Sequence, residues 1–152
     1  MKKRMMGLFL ALALCLTLLP AAALAADGSA GISGAGTKEA PYKIGTAEQF
    51  YAFAEWYNTN AEALLEDETK IYAELTADID LNNKEWTPIG IPVGWDAKPF
   101  KGIFDGAKHK VTGLKIDVSP TSSASLGLFG VAQNATIKNL SVYGDITARL
   151  SG

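Results

Sequence analysis

Two stretches decide how this chain is read: Ile103-Phe104-Asp105-Gly106 leading into Val111-Thr112-Gly113-Leu114-Lys115-Ile116-Asp117-Val118, and Leu128-Phe129-Gly130-Val131 leading into Ile137-Lys138-Asn139-Leu140-Ser141-Val142. Each joins a small-residue turn to a strand with apolar residues at every second position. The copies recur 25 to 26 residues apart, a period that points to one unit stacked on itself. Aligned this way, Leu114 falls over Leu140 and Ile116 over Val142 on the inward face. The outward columns hold Lys115 and Asp117 in one copy, Ser141 and Tyr143 in the other. Inward columns keep their chemistry, as expected of like residues stacked at the spacing of neighbouring strands.

Upstream, Ile71, Ala73, Leu75, Ala77, Ile79 and Leu81 alternate with polar residues, which predicts one half-buried strand. Before it, Thr46 stands three residues ahead of Gln49 in capping-box spacing, and Phe50, Phe53, Ala54 and Tyr57 follow as one helical stripe. Asn58-Thr59-Asn60 is expected to stop that helix, with a weaker helical stretch from Ala61 to Glu66. Gly, Ser and Ala dominate residues 26–38, which reads as a flexible linker.

The first 25 residues have a different purpose. Lys2-Lys3-Arg4, an apolar run to Leu19 and the Ala23-Leu24-Ala25 pattern make a secretory signal peptide. Its removal leaves 11 basic against 16 acidic residues, a net charge of −5. That balance disfavours nucleic acid and anionic membrane surfaces as partners. Cys15 is the one cysteine and lies in the leader, so no disulfide framework is expected. The destination is extracellular or at the cell surface, with no membrane span after cleavage.

Gly127-Leu128-Phe129-Gly130 with Ala135 to Val142 resembles the GLUG repeat of secreted bacterial surface proteins. Pro41 to Ile44, Thr46 to Phe50, Leu75 to Leu81, Trp86 to Gly90 and Phe100 to Gly106 resemble the region that precedes it in that family. The resemblance covers Ala40 to Thr147 and implies a right-handed parallel β-helix (solenoid) of the pectin-lyase-like type, mainly β, with an amphipathic helix as N-terminal cap. On that reading residues 39–70 are the cap and residues 71–152 the first rungs. Gly152 is then expected to be a truncation point, and the last strand to leave an edge that pairs with further rungs or self-associates. Family members are adhesin-like or carry appended metallopeptidase domains. No HExxH motif is present here, so peptidase activity is not carried over.

The candidate chemistry is sparse. Asp78 and Asp80, two apart on a strand, would share one outer face and could hold Ca²⁺. With Asp117 they are also the carboxylates of an alternative reading, a small polysaccharide lyase or glycoside hydrolase. Their plainer role is to solvate an exposed face. Asp105-Gly106 reads as a turn in which Gly106 takes positive φ, and His109 as a solvent-exposed side chain with no converging partner. Trp95, in a Gly/Pro-rich loop, and Tyr143, outward on a strand, are the ligand-contact candidates. The expected function is a non-enzymatic surface scaffold, adhesin-like or glycan-recognising, with a host or environmental glycan or protein as partner and no obligatory cofactor.

Overall fold

In the computed structural model the described residues are 31–66, 68–91, 97–118 and 126–148. The leader and Trp95 lie outside them. Seven strands and one helix form in the order β1 (Tyr42–Ile44), α1 (Ala47–Glu66), β2 (Ile71–Leu75), β3 (Ile79–Asp80), β4 (Gly102–Asp105), β5 (Lys110–Val118), β6 (Thr136–Lys138) and β7 (Ser141–Ala148).

All strand pairings between these elements are parallel and build two separate small sheets, ordered β1-β2-β4-β6 and β3-β5-β7. With the helix this is an α/β fold. It corrects the expectation of a mainly β, right-handed parallel β-helix with a helical plug. A plug would meet only a terminal strand, whereas α1 packs across a sheet face. Phe53 lies 6.1 Å from Tyr42 of β1 and 6.4 Å from Phe104 of β4, and Phe50 stacks on Phe104 at 5.6 Å. Alternating apolar residues report only that one strand face is buried, and a helix-covered parallel sheet needs that as much as a solenoid does.

The helix begins as its sequence indicates. Thr46 Oγ1 accepts the Gln49 amide at 3.2 Å, and Gln49 Oε1 reaches back to the Gly45 amide at 2.7 Å. It does not stop at Asn58-Thr59-Asn60. Asn60 turns its side chain onto the Trp56 carbonyl one turn back, and Asn58 leaves the helix surface to bond Pro88 O and Gly90 N. With both side chains satisfied, the helix runs 20 residues. Its buried stripe of Phe50, Phe53, Ala54, Tyr57 and Ala61 joins Trp86, Phe100 and Phe104 in one core.

The expected strand from Ile71 to Leu81 breaks at Thr76-Ala77 into β2 and β3, which belong to different sheets. Leu75, Ile79 and Leu81 stay buried on both sides of the bend, so the alternation continues through the corner and hides it. The stretch 26–38 also departs from a free linker where it is described: Ile32 is buried, and Gly36 O accepts the Tyr72 amide at 2.9 Å.

Register is the larger correction. Lys43 and Glu74, cross-strand partners joined by an ion pair, are 31 residues apart, and Lys110 bonds Asp78 over 32. Leu114 therefore pairs with Gly144 rather than Leu140, and Ile116 with Ile146 rather than Val142. Phe129 bridges Ile89, not Phe104. An apolar residue followed by glycine occurs at Ile89-Gly90 as well as near Phe104, and the shorter spacing selected the wrong copy. A bulge between Val111 and Leu114, with Gly113 at φ 65°, adds to the mismatch.

Candidate functional site

The acidic residues lie where strands turn. Asp78 immediately precedes β3, whose pairing sets Ile79 beside Val111 and so brings Asp78 to the start of β5. Its Oδ1 accepts the Lys110 amide at 3.2 Å and lies 3.1 Å from His109 Nδ1, while Oδ2 is 3.8 Å from Lys110 Nζ. The Lys110 amide, followed by the His109 ring, holds the Asp78 carboxyl below the usual carboxylate range. His109 thus has a converging partner, contrary to expectation. The sequence did carry a signal for this, the 31-residue strand spacing.

Asp80 has a separate task. Its Oδ1 accepts the Asn82 amide at 2.8 Å and its carbonyl accepts Asn82 Nδ2 at 3.1 Å, closing an Asx turn. The two carboxylates are therefore committed to different partners. Ca²⁺ takes six to eight oxygens, and no group of three or more His, Cys, Asp or Glu among the described residues is placed to hold a metal. Asp80 pairs with Thr112, and Asp117 lies five residues further along β5, on the order of 15 Å at strand rise. That exceeds the roughly 5–10 Å at which carboxylate pairs cleave glycosides. Its amide donates to Glu85 Oε1 at 2.9 Å.

Asp105 is also engaged on several sides. It accepts Asn139 Nδ2 at 3.0 Å and the Ala107 amide at 2.9 Å, and pairs with Lys138 Nζ at 3.0 Å. These three, led by Asn139, pull its pKa from 3.8 to about 2. The positive φ expected of Gly106 belongs instead to Ala107 at 49° and Lys108 at 68°. Gly106 is needed for contact: a Cβ there would lie 2.4 Å from Asn139 O.

Of the ligand-contact candidates, Tyr143 is described. It sits on β7 with 60% of its surface exposed, on the face opposite Val142 and Ile146. Trp86 is buried against Phe50 at 5.0 Å and donates from Nε1 to Leu128 O at 3.0 Å, so it serves the core. A feature that sequence reading missed is an open cleft of about 500 Å³ beside α1, lined by Tyr51, Glu55, Asn58, Thr59, Lys84, Glu85 and Thr87 among others. Lys84 Nζ lies 5.1 Å from the centre of the Tyr51 ring, and the Tyr51 hydroxyl, raised in pKa by burial, reaches Lys84 O at 3.0 Å. Only the chain path between α1 and the 84–87 segment creates this cleft.

Against known proteins, the chain is 34% identical over 121 residues, 79% of its length, to a protein of Evansella cellulosilytica provisionally named a Gly-rich membrane protein. The aligned part is 13% of that relative, so the chain spans a small fraction of its length. No family model matches, and no solved structure matches. Among the described residues no helix is long and apolar enough to cross a membrane, which says nothing of β-barrels.

Proposed function

We propose that this chain is a non-enzymatic recognition module of a bacterial cell-surface protein, with a glycan as its ligand. The observation that carries this reading is the division of labour among its side chains. Asp78, Asp80 and Asp105 each accept a backbone amide, of Lys110, Asn82 and Ala107, and Asp78 adds His109 and Lys110 side chains as Asp105 adds Lys138 and Asn139. Tyr143, by contrast, offers a largely exposed ring on the outer face of a regular strand. A tyrosine ring gives an apolar face and a hydroxyl at little entropic cost, the combination that recognition surfaces favour. The leader-like residues 1–25, the GLUG-like stretch Gly127 to Val142 and the membrane-protein name of the relative support a surface location.

Screening the full chain on an array of neutral and acidic glycans, with and without Ca²⁺, tests this. Binding that falls in Tyr143→Ala supports it. Release of unsaturated or reducing sugar ends would replace it with the polysaccharide-cleaving alternative.

A further inference from the structure

The cleft beside α1 has two walls, one flank of the helix from Tyr51 to Thr59 and the segment 84–87 opposite it. These walls are tied together at both ends. At one end the Tyr51 hydroxyl reaches Leu81 O at 3.3 Å and Lys84 O at 3.0 Å. At the other, Asn58 donates to Pro88 O at 3.0 Å and accepts the Gly90 amide at 2.9 Å. Tyr51 and Asn58 stand about 10 Å apart along the helix axis, and the opening lies between the two ties. The cleft is therefore preformed, and its volume of about 500 Å³ falls in the range of small-ligand sites. The free edge of β7 is no part of it. Glu85 bridges Lys115, and Lys115 pairs on its other side with Asp145, so β5 separates this segment from β7.

The side chains between the ties are uncommitted. Among the described residues Glu55, Thr59 and Thr87 make no hydrogen bond or ion pair through their side chains, and Glu85 gives one oxygen to the Asp117 amide. Asp78 and Asp105, by contrast, are each held by several groups. Hydroxyls and carboxylates set across a cleft match the hydroxyls of a sugar ring, and buried Ala54 adds an apolar floor. Charge limits which sugar fits. Two carboxylates, Glu55 and Glu85, face one cation, Lys84, whose Nζ is drawn over the Tyr51 ring at 5.1 Å. A sugar carboxylate would meet like charge there. We infer that the cleft between α1 and residues 84–87 binds a sugar residue bearing hydroxyl or amino groups and no carboxylate, held by Glu55, Thr59, Glu85 and Thr87. The inference rests on the glycan reading and gives it a site separate from Tyr143.

An array of neutral, amino-sugar and uronic-acid oligosaccharides, probed with the full chain, tests it. Neutral or amino-sugar spots should bind and uronic-acid spots should not. Thr59→Trp fills the cleft from an exposed helix position and should weaken binding by about tenfold or more without changing the circular dichroism. Glu55→Gln with Glu85→Gln keeps the shape of the cleft and an acceptor for the Asp117 amide. Because ionised acceptors make the stronger hydrogen bonds, this pair should bind more weakly and should also admit uronic-acid glycans. If Thr59→Trp fails to fold, the glutamine pair decides. Binding that both variants retain in full overturns the cleft, and its loss in Tyr143→Ala then keeps the glycan reading. A preference of the unsubstituted chain for uronic acids also overturns the cleft. Binding to no glycan at all overturns both readings.

Discussion

Val142 lies in register over Val111, yet Val111 is fully buried and Val142 is 40% exposed. The residue type and the column are the same, so the difference lies in the layer. Among the described residues β5 lies between β3 and β7, whereas β7 has a strand neighbour on one side only. Stability is therefore concentrated between the helix and the early strands.

Trp86→Ala should be among the most damaging single changes. It removes the ring packed on Phe50 and Tyr51 and one of the two donors to Leu128 O, leaving the Ile89 amide. A loss of about 3–5 kcal/mol is expected for a buried tryptophan, read from urea denaturation.

Thr46→Ala should cost about 1 kcal/mol through the lost helix cap. Tyr143→Ala, at an exposed site, should change stability by less than about 0.5 kcal/mol. The same denaturation series checks both, and it separates a binding defect in Tyr143→Ala from an unfolding one.

Acid should weaken the fold through Asp105. Its folded pKa of about 2 lies below the ordinary 3.8, so the ionised group stabilises above pH 4. That stabilisation is lost as pH falls towards 2. Because the side chain is 28% exposed, solvent screening limits the effect to about 1–2 kcal/mol. Urea midpoints from pH 5 to 2 should show a gap between the unsubstituted chain and Asp105→Asn that closes at the acid end.

The turn after β4 gives a paired test. Gly106→Ala forces a Cβ to within 2.4 Å of Asn139 O and 2.7 Å of Leu140 Cα, a backbone clash that should cost more than about 2 kcal/mol. Ala107→Gly, one residue on, relieves a φ of 49° and should be neutral or stabilising by about 1 kcal/mol. Opposite thermal shifts in the two variants are the expected result.

Local signals in the sequence were legible and long-range ones were not. Thr46 and Gln49 place the helix start correctly because a capping box is a contact within one turn. Helix continuation through Asn58 was hidden because its side chain is satisfied by Pro88 and Gly90, 30 and 32 residues away. The bend at Thr76-Ala77 leaves the alternation of buried residues intact, so periodicity could not reveal that β2 and β3 serve different sheets. The solenoid expectation and the Leu114–Leu140 register failed together, because both rested on a spacing shorter than the pairings that form. His109 then looked partnerless only because Asp78 was not recognised as its neighbour across the sheet.

The recognition reading is tested most directly by incubating the full chain with the polysaccharides it retains and measuring bound sugar and newly formed sugar ends together, beside Asp78→Asn. The expected result is retention by both proteins with no new ends from either. New ends that form with the unsubstituted chain and vanish with Asp78→Asn would contradict it.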